Sequence, residues 1–174
     1  YSEGNSVNSD AAQSAGASWL AEGNGVYWVT TLGGDSHLMK IDVQSGGIEQ
    51  VTKAAGALLE LARLPDGRTV ISALRGQKAP ELYLVEADGT ERQLTDFNGP
   101  VCAGYTFSVP KPLTATSLGG RKVQGYVLSP PAGGEAAAQS RPAILSIHGG
   151  PKTVYGPVLH HEMQWLAAQG YTVI

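Results

Sequence analysis

Residues 17–53 and 61–96 of this 174-residue chain can be laid over one another. The pair reads "SWLAEGNGVYWVTTLGGDSHLMKIDVQSGGIEQVT" against "RLPDGRTVISALRGQKAPELYLVEADGTERQLT". Val26 and Val70 stand 44 residues apart, Leu38 and Leu82 also 44, and Val51 and Leu94 43. Within each unit the runs "VYWVTT" and "TVISAL", then "HLMKIDV" and "ELYLVEA", have strand length and are rich in Val, Ile, Leu and Tyr. Glycine-bearing turns such as "PDG" and "ADG" separate them. A self-similar period of about 40–45 residues made of short strands is the pattern of a four-stranded propeller blade. The alternative is two unrelated hairpins that align by chance. Propeller rings close with about four to eight blades, and even four at this period would use up the chain, yet a different pattern starts near residue 105. Two blades therefore imply part of a larger protein, and Tyr1 in place of a methionine points the same way.

From Tyr105 the grammar changes. In "YTFSVPKPLTATSLGGRKVQGYVLSPP" Gly119-Gly120 divides two strand-like stretches as a hairpin turn would. Residues 131–142, "PAGGEAAAQSRP", read as an exposed connection. "AILSI" follows as a continuous apolar strand of the kind buried on both faces. After a glycine loop comes "PVLHHEMQWLAAQG", where Leu159, Met163, Leu166 and Gly170 recur at spacings of 4, 3 and 4. The spacing predicts an amphipathic helix with Gly170 as its C-terminal stop. "YTVI" begins a second apolar strand and runs to Ile174. Strand, loop, helix, strand is a βαβ unit, the basis of a parallel sheet. The expected organisation is 1–16 unassigned, 17–104 propeller blades, and 105–174 the start of a second domain.

With 42% apolar and 16% charged residues the chain can bury a real core. A net charge of −3 offers no cluster of Lys and Arg of the kind that phosphate backbones or anionic lipid require, so neither nucleic acid nor a membrane is expected as a partner. No segment nears the ~20 apolar residues that span a bilayer, and the opening residues lack a signal peptide's apolar core. Cys102, the single cysteine, reads as a small buried apolar residue and accords with a cytoplasmic location.

The sharpest chemical signal is where "AILSI" opens into His148-Gly149-Gly150-Pro151. A phosphate-binding P-loop would need glycine before Lys152, where Pro151 stands, and another at 146, where serine stands. A zinc-protease helix would need histidine where Trp165 stands. His160 and His161 are adjacent, point about 100° apart on a helix and so share a metal poorly; they read as surface and packing residues. His37, in a strand, reads as structural. No metal or cofactor is expected. What fits is an acyl-transfer loop, because backbone N–H groups aimed at a carbonyl oxygen stabilise the charge it gains when a nucleophile attacks. Pro151 has no N–H, so a donor here has to be Gly149 or Gly150. On these four residues alone a tight turn explains as much; the strand-to-helix setting favours the donor reading.

"TSLGGRKVQGYVLSPP", "PAILSIHGGPKTVYG" and "HEMQWLAAQGYTVI", in that order and after blade-like repeats, resemble the prolyl oligopeptidase family of serine peptidases, in its acylaminoacyl-peptidase-like branch. The resemblance runs from about Ser18 onward. It implies a β-propeller over an α/β-hydrolase domain with a Ser-Asp-His triad. The expected fold class is thus a partial β-propeller of about two four-stranded blades followed by the N-terminal part of an α/β-hydrolase domain. It also implies hydrolysis of short peptides, N-acylated in this branch, through an acyl-enzyme, and assembly into homo-oligomers. His148, Gly149, Gly150 and Pro151 become the oxyanion-side loop, with His148 bracing it. Gly119 departs from the aspartate that the family often carries in this hairpin.

A larger departure concerns the nucleophile. The Gly-x-Ser-x-Gly elbow has only near misses, at Ser6, Ser18 and Ser36, each without the closing glycine. In this fold the triad runs Ser, Asp or Glu, then His, all after the oxyanion loop, so all three are expected beyond Ile174. No catalytic side chain is expected within the chain, which alone is expected to be inert. Two readings stay open: a propeller interaction module with a non-catalytic hydrolase remnant, and an esterase or lipase of the same fold, which leaves the repeats unexplained.

Overall fold

A computed structural model describes residues 7–11, 19–131, 141–149 and 153–174. Strand β1 (Val7–Asn8) precedes two four-stranded antiparallel meanders. The first is β2 (Trp19–Glu22), β3 (Gly25–Leu32), β4 (Asp35–Asp42) and β5 (Ile48–Gln50). The second is β6 (Ala57–Arg63), β7 (Thr69–Leu74), β8 (Glu81–Val85) and β9 (Glu91–Gln93). A short helix, α1 (Gly99–Cys102), which no sequence pattern announced, leads to the hairpin β10 (Lys111–Thr116) and β11 (Lys122–Val127). Then come β12 (Ala143–Ile144), β13 (Val154–Tyr155), α2 (His161–Ala168) and β14 (Thr172–Val173). Most of the connection read at 131–142 lies outside the described residues.

The repeat recurs in the hydrogen bonds. Leu38 N–H donates to the Thr52 hydroxyl and Leu82 N–H to that of Thr95, both at 2.9 Å. Val51 N–H donates to the Leu38 carbonyl at 2.8 Å and Leu94 N–H to that of Leu82 at 2.7 Å. The pairing of Val26 with Val70 slips by one residue. Val26 sits opposite Ile41, and its counterpart opposite Val85 is Thr69. The cause is one extra residue in the β7–β8 connection, which has no tight glycine turn like that at Gly33-Gly34.

The two sheets stack with the same face forward. Val29 and Leu38 of the first meander pack on Leu58, Ile71, Ala73, Tyr83 and Val85 of the second. Leu82, the counterpart of Leu38, lies on the opposite face of the second sheet and is 39% exposed. Ser36 seals the seam: its N–H donates to the Gly56 carbonyl at 2.8 Å, and its hydroxyl accepts from Leu58 N–H at 2.6 Å. Arg63 crosses the same seam, pairing with Glu22 and lying 4.5 Å over the Tyr27 ring.

Beyond residue 105, Leu128 and Val173 exchange backbone hydrogen bonds of 2.8 and 2.9 Å. This bridge joins the hairpin to the parallel pair β12–β14, giving the order β10, β11, β14, β12. Met163, Leu166 and Ala167 of α2 pack on Leu128 and Val173, and Gly170 at φ 95° ends the helix in the left-handed region glycine tolerates. The helix starts at His161 and not at Pro157: the chain bends at Pro157 and Val158, Val158 and Leu159 are buried, and His160 is extended; Val158 joins Val7, Ala57, Leu59 and Leu74. The apolar run 143–147 is not buried on both faces: strand β12 covers two residues, and Leu145 and Ile147 are 68% and 80% exposed.

Candidate functional site

His148 and Gly149 follow β12 on an exposed loop; Gly150 and Pro151 lie outside the described residues. The His148 ring sets Nδ1 2.7 Å from the Gly149 carbonyl oxygen and meets Tyr155 edge-on, with centroids 5.4 Å apart. Tyr155 in turn meets His160 edge-on at 5.5 Å. Strand β13, which carries Tyr155, pairs in parallel with β1, so part of the segment left unassigned in the sequence holds the backbone just after the loop. A cleft of about 410 Å3 lies between this loop and the β10–β11 hairpin, with Leu113, Val123, Tyr126, Leu145, His148 and Met163 among its walls.

The glycines around the cleft differ in what demands them. At Gly149 φ is outside the left-handed region and a Cβ would meet no atom of the described residues within 4 Å, so among these neither backbone nor packing requires glycine there. At Gly156 a Cβ would strike the Gly34 carbonyl oxygen and the Val7 side chain. At Gly34, with φ 96°, it would strike the Tyr126 hydroxyl. The β3–β4 turn is thus pressed against the cleft, and Gln124 Nε2 donates to the Gly33 carbonyl at 2.9 Å. Burial and then the charge of Asp35 raise the Tyr126 phenol above its ordinary value, keeping it a neutral O–H at neutral pH.

A second contact ties α2 to the meanders. The Gln164 side chain takes both backbone groups of Ser108, accepting from its N–H at 2.9 Å and donating to its carbonyl at 2.8 Å. It also donates to the Gln77 amide oxygen, while Gln77 Nε2 reaches the Pro157 carbonyl at 3.1 Å. Sequence reasoning missed Asp10, Gly34, Tyr126, Tyr155, Gly156 and Gln164. The glycine pair at 33–34 was the one visible hint.

Of the near-miss serines, Ser36 is fully buried with its hydroxyl engaged in the sheet–sheet seam. Ser6 and Ser18 lie outside the described residues. His37 is buried in β4 with Nδ1 unbonded, His160 packs on Tyr155, and His161 is exposed. Among the described residues no three His, Cys, Asp or Glu side chains gather as a metal site, and no helix is long and apolar enough to cross a membrane.

No family model matches the chain. It is 30% identical over 157 residues to the uncharacterized peptidase YuxL of Bacillus subtilis (strain 168), covering 90% of this chain and 23% of that protein. Among solved structures it resembles Pyrococcus horikoshii acylaminoacyl peptidase, with a TM-score of 0.76 and 27% identity over 90% of this chain and 24% of that one. An acylaminoacyl peptidase in complex with Z-Gly-Gly-Phe-chloromethyl ketone gives a TM-score of 0.77 at 25% identity, again over 90% and 24%. The chain spans about a quarter of the length of these relatives. In sequence it is thus similar to a peptidase and in fold to acylaminoacyl peptidases, in keeping with the resemblance of its motifs to the prolyl oligopeptidase family.

Proposed function

We propose that this chain is part of a serine peptidase that hydrolyses short, N-acylated peptides through an acyl-enzyme, and that the 148–151 loop supplies a backbone donor to the oxyanion. In this reading residues 17–104 are propeller blades and 105–174 begin an α/β-hydrolase domain. The forward face repeated by the two meanders supports a ring, since Leu82 and Leu94 offer the next sheet the surface that Leu38 and Val51 offer the second. The exposed Leu145 and Ile147 beside β12 support a sheet that continues past this edge. A cytoplasmic location and a homo-oligomeric state belong to the same proposal.

The observation that carries the site is Gly149, a glycine that nothing among the described residues demands. A donor loop gives a physical reason for it, because a substrate carbonyl must approach the backbone closely. The serine, outside this stretch, adds through Oγ to the carbonyl carbon and yields its proton to the triad histidine. The carbonyl oxygen becomes an anion facing the Gly149 N–H. Collapse then expels the amine, which takes that proton, and leaves the acyl-enzyme. The apolar cleft beside the loop supports a site from which water is largely kept out.

The test is fluorophosphonate labelling of the intact protein with and without Gly149→Ala. We expect one labelled serine outside residues 1–174, and labelling slowed about tenfold or more by the added methyl with an unchanged melting temperature. An intact protein that takes no label and hydrolyses no N-acetylated peptide would be an interaction module instead.

A further inference from the structure

We infer that Asp10 is a positioning residue for the loop that carries His148 and Gly149. It belongs to neither domain as read from the sequence. Its carboxylate accepts the backbone N–H groups of His161 and of Glu162, the latter at 2.7 Å, in the first turn of α2. A helix start leaves such N–H groups unpaired and favours negative charge beside them. His160, at the cap position, supplies no side-chain bond of its own, so the cap comes from the far end of the chain.

The same carboxylate faces a column of rings. Asp10 Oδ2 lies 3.2 Å from His160 Nδ1, a close contact that is not aligned as a hydrogen bond. His160 stacks edge-on to Tyr155, Tyr155 edge-on to His148, and His148 touches the Gly149 carbonyl. The column therefore runs unbroken from the N-terminal segment to the loop. Its base is fixed. Val7 is 3% exposed among Ala57, Leu59, Leu74 and Val158, and the Ser9 hydroxyl donates to the Leu159 carbonyl at 2.5 Å.

Backbone donors act on a developing charge only when held to about 0.5 Å, and a misplacement of ~1 Å can cost about a hundredfold in rate. Asp10 touches no substrate, so its removal lowers kcat and spares KM. This rate argument rests on the peptidase reading above; the mechanical argument does not.

The experiment compares intact wild-type protein with Asp10→Ala, Asp10→Asn and, as a control on an exposed turn, Asp66→Ala. It reads hydrogen–deuterium exchange over residues 145–156 and kinetics on an N-acetylated peptide. In Asp10→Ala, exchange over 145–156 rises about fivefold and kcat falls about tenfold, with KM held within about twofold. Asp10→Asn keeps one of the two acceptor oxygens and restores part of both, while Asp66→Ala changes neither. Unchanged exchange in Asp10→Ala, or a loss confined to KM, overturns the inference. Should Asp10→Ala fail to fold, Asp10→Asn must still show the same changes at reduced size, and a wild-type value there overturns it too. A wild-type protein that hydrolyses nothing and takes no fluorophosphonate defeats the peptidase reading, and exchange then decides the column by itself.

Discussion

The paired meanders and the region after residue 105 reach closure in different ways. Between the meanders, Leu38, Leu58, Ile71 and Ala73 are sealed from solvent, and the same main-chain and threonine bonds recur in both sheets. After residue 105 the parallel strands are two residues long, and Leu145, Ile147 and Trp165 stand largely in solvent. A stacked repeat completes its core one sheet at a time, each step covering the last. A sheet grown by crossover is finished only when both of its edges and both of its faces have partners. The repeat has open surfaces of its own, the face bearing Leu82 and Leu94 among them, and that exception follows the same logic of the next step.

The largest effect expected is at the seam. Leu38→Ala should cost about 3 kcal/mol in urea unfolding, because a fully buried leucine leaves a cavity between two rigid sheets. Ile147→Ala sharpens the contrast. It should change the 174-residue chain by less than about 0.5 kcal/mol and the intact protein by about 2 kcal/mol, the cost of a covered side chain. Equal small costs in both would mean that this edge stays bare, and the contrast between the two regions would collapse.

Next in size is Ser36→Ala. It strips Leu58 N–H of its acceptor inside the seam, a loss of about 1–3 kcal/mol. The second meander has Pro80 at the matching place, without a hydroxyl, so a further sheet laid on it would need a different seal. A Ser36→Ala protein as stable as wild type would show that apolar burial alone joins the sheets.

What was legible beforehand is what local chemistry encodes. The repeat, the hairpin turn at Gly120 with φ 77°, and the helix stop at Gly170 each follow from residues a few positions apart. The illegible parts share a reason. Leu159 carries helical spacing yet is buried ahead of the helix, its carbonyl taken by the Ser9 hydroxyl, and Val158 beside it joins a cluster with Val7 from the opposite end of the chain. The one-residue slip at Val26 comes from a connection whose length matters more than its composition. The run at 143–147 reads as doubly buried because its apolar character suits a covering that these residues do not provide for one another. At the candidate site His148 and Gly149 were visible as a motif, whereas Asp10 and the Gly34–Gly156 contact depend on segments far apart in sequence.

The smallest effect concerns pH and sets Glu81 against its counterpart His37. Both are buried, but His37 has an unbonded Nδ1, whereas Glu81 accepts from the Thr95 hydroxyl and from the Asn98 N–H at 2.9 Å and its side-chain amide at 3.1 Å. Burial alone would raise the Glu81 carboxyl; the bonds from Thr95, Asn98 and Phe97 outweigh it and hold the group below its ordinary value of 4.5. The unfolded chain then binds more protons than the folded one around and below that value, so stability from ionised Glu81 is full above it and drains away as pH falls through the lower folded value. Glu81→Gln should lower the melting temperature by about 2 °C at neutral pH. The gap between variant and wild type should then close as the solution is acidified below pH 4.5. A gap that widens with acid would mean that the carboxyl is protonated in the folded protein and that its donors do not determine its charge.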